Sequence, residues 1–225
     1  MKLKGKIALV TGASTGIGKE VCFTYASEGA KVVVNYIGDP ILAEQVVNRI
    51  QADGGEALAI HADVSQEKQV VAMVDQVAEQ WGGVDILVNN AGIYPRKTWY
   101  EITEEEWDQV MAVNLKSCFF TCKAVFPHMR QQQYGKIINV SSVTFLRGQA
   151  NFLHYVSSKG GVVGFTRALA REVGKEGITV NVIAPGAVLT EQEIINIGPN
   201  PEPTLEASRV YFEKEQCLPR RQLPP

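Results

Sequence analysis

The sequence predicts an α/β chain: a doubly wound, parallel sheet of six strands in the order 3-2-1-4-5-6, with helices on both faces. Three observations lead there. Six short apolar runs alternate with segments whose apolar residues recur at spacings of three and four. The runs are apolar almost throughout, as strands covered on both faces are. Glycines cluster between the first run and the first helical segment, where an open α/β sheet receives its ligand.

Taken in order, the first run is Lys6-Ile-Ala-Leu-Val-Thr11, and a helix from Gly16 to Ala26 follows, closed by Gly29. Lys31-Val-Val-Val-Asn-Tyr36 is β-branched and strand-like. Asp39-Pro40 then places a capping residue and a proline at the start of a helix that ends at Gly54-Gly55. Ala57 to His61 is the third run, with Ser65 expected to cap a helix reaching Gln80. After the fourth run, Asp85 to Asn89, Thr103 and Glu106 have capping-box spacing and open a helical region that reaches about Gln132. Lys136 to Ser141 is the fifth run. The helix from Phe152 to about Val173 turns Val162, Phe165, Leu169 and Val173 to one side, and Ile178 to Ala184 is the sixth run. Right-handed crossovers join these parts into one domain spanning residues 1–225. Beyond Gly186 the composition shifts to a loop, Gly198-Pro-Asn-Pro-Glu-Pro203, and the sequence finishes in Leu223-Pro-Pro.

Composition narrows the function. With 22 Lys and Arg against 24 Asp and Glu, the net charge of −2 provides no electrostatic basis for binding nucleic acid or an anionic membrane. Met1 to Lys6 is basic, but Ile7 to Val10 is too short for a secretory core, and no run of about eighteen apolar residues appears. A cytoplasmic location is expected. Cys22, Cys118, Cys122 and Cys217 fit a reducing compartment; Cys118 and Cys122 have helical spacing without a second ligand pair, so they read as small buried hydrophobes and no metal site is expected.

The chemistry gathers in Ser142 to Lys159. Tyr155 and Lys159, four apart at the start of a helix, share one face. A free phenol titrates near 10, and a neighbouring ammonium favours the phenolate, which brings the pair toward neutral pH. At the other end, Thr11-Gly12-Ala-Ser-Thr-Gly16-Ile-Gly18 runs from strand to helix, where a backbone without side chains approaches a pyrophosphate at the helix N-terminus. Its spacing is G-x-x-x-G-x-G rather than the commoner G-x-G-x-x-G.

These motifs resemble the short-chain dehydrogenase/reductase family along nearly the whole chain, including members that reduce 3-oxoacyl groups on carrier proteins or oxidise glucose. The resemblance implies a Rossmann fold and hydride transfer between a nicotinamide cofactor and a small carbonyl or secondary-alcohol substrate. It implies Asn114, Ser142, Tyr155 and Lys159 as the catalytic tetrad, with thirteen residues from serine to tyrosine. Tyr155 would be the general acid/base, Lys159 would lower its pKa and hold the nicotinamide ribose, Ser142 would orient the substrate oxygen, and Asn114 would hold a relay water. The cofactor residues it implies are Gly12, Ser14, Thr15, Gly16, Ile17 and Gly18 of the turn; Tyr36 after the second strand; Asp63 and Val64 near the adenine; Asn90, Ala91 and Gly92 after Asn89; Tyr155 and Lys159; and Pro185, Gly186 and Thr190 at the nicotinamide end.

The resemblance implies NAD(P)(H) as the cofactor. An acid at the end of the second strand would repel a 2′-phosphate; Tyr36, Ile37 and Gly38 stand there instead, which leans toward NADP(H), while the lack of a basic residue at Thr15 or Ile37 and the nearby Asp39 weigh the other way. At the substrate end, Tyr94, Trp99 and Tyr100 either line a pocket or cover the sheet edge. Arg130 and Arg171 offer a basic surface for an acidic carrier protein, diluted by Gln131 to Gln133, so that substrate is the second choice. His61 and His128 have no partner constellation and read as structural; His154, one residue round the helix from Tyr155, points away from it and is not read as catalytic. The resemblance further implies a seventh strand beyond Pro225, so the sequence is expected to be a truncated version of a longer reductase. A homodimer is expected, a tetramer less so, and the alternative function is an inactive dinucleotide-binding module.

Overall fold

A computed structural model describes residues 1–191. The expectations for Cys217, the Gly198–Pro203 loop and the final Leu223-Pro-Pro lie outside the described residues.

Each β-branched run becomes a strand because it packs on two faces at once. The strands are β1 (Ile7–Val10), β2 (Lys31–Tyr36), β3 (Glu56–His61), β4 (Ile86–Asn89), β5 (Gly135–Val140) and β6 (Ile178–Ile183). They pair in parallel in the expected order, β3-β2-β1-β4-β5-β6. Alternate residues feed opposite layers. Ala8 and Val10 of β1, with Val32 and Val34 of β2, pack against α1 (Gly16–Ser27) and α2 (Pro40–Ala52). Leu9, Val33 and Leu87 face the other way, against α3 (Glu67–Trp81), α5 (Ser117–Gln131) and α7 (Leu153–Val173). A one-residue slip in β1 would exchange the two sets, so both cores together hold the register.

Local signals set the helix starts. The Asp39 carboxylate accepts the Ile41 N–H at 2.9 Å, with Pro40 in the first turn of α2. At α4 (Glu104–Met111), Glu106 N–H donates to Thr103 Oγ1 at 3.3 Å and Thr103 N–H donates to Glu106 Oε2 at 2.9 Å, closing the expected box. Ser65 does not cap α3. That helix begins one position later, behind Gln66; the Ser65 N–H donates to Asp63 Oδ1 at 2.9 Å in a tight turn, and the Ser65 hydroxyl accepts Gln66 Nε2 at 3.3 Å rather than a helix N–H. The long region after Thr103 is not one regular helix: Ala112–Lys116 forms a π-type turn between α4 and α5. A short α6 (Thr144–Arg147), absent from the periodicity reading, precedes α7.

Among the described residues β6 lies at the edge of the sheet, and Ile183 is exposed. Cys22, Cys118 and Cys122 are free and buried, as hydrophobes are. No described helix is long and apolar enough to cross a membrane.

Candidate active site and cofactor cleft

Two polar clamps shape the carboxyl ends of the central strands. The Thr11 hydroxyl accepts the N–H groups of Asn90 and Ala91, each at 3.0 Å, while Asn90 Nδ2 donates to the carbonyls of Thr11 and Gly12 at 3.0 and 2.9 Å. This ties the glycine turn to the end of β4. Asn35 ties it to β2 and β3: its Oδ1 accepts the Gly12 N–H at 3.2 Å and its Nδ2 donates to Ala62 O at 3.0 Å. Asn35 was not singled out from the sequence, although one polar residue inside Val32-Val-Val-Asn-Tyr36 was the available signal. A second unforeseen group is a buried chain across β4 and β5. Thr121 donates to Asn89, Asn89 to Asn139, and Asn139 to Thr166, at 2.7, 2.9 and 2.9 Å.

Gly12 and Gly16 take the left-handed φ values +59° and +55°, and a Cβ on Gly12 would lie 2.8 Å from Ala91 Cα. Gly18 plays a different part: a Cβ there would meet Asn90 Nδ2 and Gly12 O at 2.6 Å, so it is a packing glycine under the turn.

These elements border an open cleft of about 1490 Å³, larger than the roughly 300–1,000 Å³ of pockets for one small ligand. Gly12, Ser14, Thr15, Gly16, Ile17, Asp63, Val64, Asn90, Ala91, Gly92, Ser142, Tyr155, Lys159, Pro185, Gly186 and Thr190 all line it. Gly18 and Tyr36 do not; Tyr36 packs edge-on against His61, with ring centroids 5.4 Å apart, and its neighbours Asn35 and Ile37 face the cleft instead. Strand alternation explains the swap.

The turn fits an anion, because it already holds one. Glu191 accepts the Gly16 N–H at 3.1 Å and pairs with the Lys19 ammonium. Its carboxyl is held below the ordinary range, chiefly by the hydrogen bond from Lys19. A side-chain carboxylate at the N-terminus of α1 marks the position a pyrophosphate would take.

At the other end, Tyr155 stands between two rings, with centroids 6.1 Å from Tyr94 and 5.8 Å from Phe152. Ser142 Oγ accepts the N–H and hydroxyl of Thr144 at 3.2 and 3.0 Å, so its own proton is directed elsewhere, and it hydrogen-bonds the Tyr155 hydroxyl. Lys159 is buried; its Nζ donates to Val140 O at 2.8 Å and lies 5.8 Å from the Tyr155 ring centroid. Burial lowers the lysine from its ordinary 10.5 to about 8.

The expected lowering of the tyrosine is not what the geometry yields. Burial raises the Tyr155 pKa, with the Ser142 hydrogen bond pulling the other way. The lysine ammonium stands over the ring rather than at the hydroxyl and is turned toward the Val140 carbonyl, so desolvation outweighs attraction.

Asn114 lies in the π-type turn, buried, with Oδ1 accepting the Ile93 N–H and Nδ2 donating to Ile93 O, both at 2.8 Å, and to Ser158 Oγ at 3.1 Å. It does not line the cleft. Its side chain fastens the segment after β4 to α7, and irregular turns of this kind recur at functional sites. Of the aromatic residues in the following loop, Tyr94 lines the cleft, whereas Trp99 and Tyr100 stand exposed, packed edge-on against each other. His154 is buried and accepts the Tyr155 backbone N–H on Nδ1 at 3.0 Å, which holds it away from the cleft. Arg130 pairs with Glu176 at 3.4 Å.

Comparison with known proteins agrees with this geometry. A family model described as short chain dehydrogenase matches residues 6–195. The 3-oxoacyl-(acyl-carrier-protein) reductase FabG of Staphylococcus epidermidis is 44% identical over 186 residues, covering 83% of this chain and 76% of that protein. The 3-oxoacyl-(acyl-carrier-protein) reductase of Synechocystis is 40% identical over 198 residues, 88% of this chain and 80% of the relative. A solved short chain dehydrogenase from Mycobacterium avium superposes with a TM-score of 0.79 at 38% identity, covering 83% of this chain and 69% of that one.

Proposed function

The chain belongs to the short chain dehydrogenase family and is an NAD(P)-dependent oxidoreductase acting on a CH–OH or C=O group; from that premise we propose that Tyr155 is its proton donor and acceptor. The observation supporting the assignment is that Ser142, Tyr155 and Lys159 line the same cleft as the glycine turn.

The nicotinamide supplies the hydride, and the protein's residues handle position and proton. The turn at Gly12 to Gly16, clamped by Asn35 and Asn90, would hold the pyrophosphate on backbone N–H groups. Ser142, its oxygen already accepting from Thr144, directs its one hydroxyl proton toward Tyr155 and would turn it to a substrate oxygen bound between them. Tyr155, kept protonated by burial, is in the form that gives a proton to a carbonyl during reduction. The Lys159 ammonium has three donors and uses one on Val140 O, leaving two for a ribose and for the developing phenolate. Asn114 acts through position, fixing the backbone at Ile93 beside Gly92.

NADP(H) is the preferred cofactor in this reading. Asp39, the acid nearest the end of β2, is committed to capping α2, and Ile37 is the residue facing the cleft there. The ratio of KM values for NADPH and NADH tests this, and a preference for NADH overturns it. A homodimer through α5 and α7 belongs to the same proposal and is read by light scattering. Carrier-bound 3-oxoacyl groups, the substrates named for the similar reductases, and small free ketones are both candidates for the substrate.

Tyr155→Phe is the decisive variant. NADPH consumption with a ketone panel is expected to fall by about 10²–10⁴-fold, the usual contribution of one acid/base group, while cofactor fluorescence titrates as in the unaltered protein. A variant that keeps its rate refutes the assignment. Binding without turnover in the unaltered protein would instead identify a dinucleotide-binding module.

A further inference from the structure

We propose that Arg96 binds an anionic group on the substrate, so that the preferred substrates are carbonyl compounds carrying a carboxylate or phosphate a short chain away from the reacting carbon. The inference rests on the carbonyl chemistry proposed for Tyr155.

Arg96 lines the cleft and is exposed to solvent. Its guanidinium stands over the face of Phe152, 5.1 Å from the ring centroid, and Phe152 packs in turn against Tyr155 at 5.8 Å. The two distances bound the guanidinium to within about 11 Å of the Tyr155 ring. A charge on an aromatic face is held at a fixed height while its N–H edge stays open, and that edge matches the two oxygens of a carboxylate or phosphate.

The loop carrying Arg96 is fastened on both sides. The Lys97 N–H donates to Asn151 O at 3.0 Å, and the Lys97 ammonium binds both oxygens of Glu106, at 2.6 and 2.7 Å. Those bonds engage Glu106; Glu105 lines the cleft as well. Glu106 is shared between Lys97 and the Thr103 N–H, and Glu105 is held by backbone and by Thr103. Asp108 also lines the cleft, yet among the described residues Arg96 has no carboxylate partner. A guanidinium that is pinned, ring-mounted and unneutralised at the mouth of a catalytic cleft is arranged for a ligand's charge. Arg147 lines the same cleft and adds positive potential without the ring beneath it.

The test compares keto acids having two to five carbons between carbonyl and carboxylate with their methyl esters, using NADPH consumption and equilibrium calorimetry of the keto acids. The unaltered protein is expected to favour the acid by tenfold or more in kcat/KM. Arg96→Ala should remove that preference through KM, lowering kcat/KM for the acid at least fivefold more than for the ester, and abolish the calorimetric signal; Arg96→Lys should restore part of it. A short keto phosphate against its neutral alcohol separates the two anions. Equal rates for acid and ester, or a preference that survives Arg96→Ala or depends on Arg147 instead, overturn the inference while leaving the carbonyl reading intact. Arg96-dependent binding of keto acids without reduction of any ketone would uphold the anion site and refute the carbonyl reading.

Discussion

Replacing Glu191 by glutamine is expected to tighten cofactor binding, because the carboxylate holds the place a pyrophosphate needs. It accepts the Gly16 N–H at 3.1 Å and pairs with Lys19. A hydrogen bond to a charged group contributes roughly 1.5–3 kcal/mol when shielded. The Glu191 side chain is 49% exposed, so solvent screening brings the pair down to the exposed range of about 0–1 kcal/mol. The amide of Glu191→Gln keeps a weaker acceptor and frees Lys19 to meet a phosphate. The net expectation is about 1 kcal/mol, or roughly fivefold lower Kd. NADPH fluorescence titrations at low and high salt measure it, and the gain should shrink as salt screens the charges. Glu20→Gln is the control, since Glu20 lies 3.9 Å from the same lysine but does not touch the turn. An unchanged or weaker affinity in Glu191→Gln refutes the reasoning, because the carboxylate would then leave without cost or assist the bound state.

Lys159→Met should abolish reduction yet stabilise the fold. The lysine's folded-state pKa is depressed from 10.5 to about 8, so below pH 8 the buried ammonium carries its full desolvation penalty, roughly 3 kcal/mol, partly offset by its bond to Val140 O. The unfolded chain binds more protons between pH 8 and 10.5, so stability of the unaltered protein rises across that window. Urea unfolding should show a variant advantage of about 1–2 kcal/mol at pH 7 that fades by pH 10.5; a less stable variant at pH 7 sinks the argument. The same titration predicts that kcat/KM for reduction is level near pH 7 and falls above about 8 as the ammonium is lost; a profile rising through pH 9 contradicts it. Gly18→Ala should lower stability by about 1–3 kcal/mol, since its Cβ would overlap Asn90 Nδ2 and Gly12 O, and an unchanged Tm would show that the turn yields.

The fold was legible because its signals are local and repeated. Six apolar runs, the Asp39-Pro40 start and the Thr103 box each lie within a few residues, and each formed as expected. Ser65 does not cap because the helix starts one residue later than expected, behind Gln66, and the Ser65 hydroxyl accepts the Gln66 side-chain amide instead. Position alone assigns Tyr36 to the cleft, whereas the pleat turns Ile37 there. Asn35 and the Asn89–Asn139 pair escape a sequence reading because a polar residue inside an apolar run has no readable partner until segments 23 or 50 residues away are brought beside it.

By itself, then, the sequence determined the alternation of strands and helices, the glycine turn and the spacing of Ser142, Tyr155 and Lys159, all of which follow from backbone sterics and side-chain period. Only the tertiary structure decided how those groups are charged and occupied. Burial is a property of the assembled chain, and it moves Tyr155 upward and Lys159 downward, against the expectation for an exposed pair. Tertiary packing also sets Glu191 on the turn 175 residues before it and Arg96 on the ring of Phe152. Those contacts join residues that no local pattern connects, because packing, not spacing, brings them together.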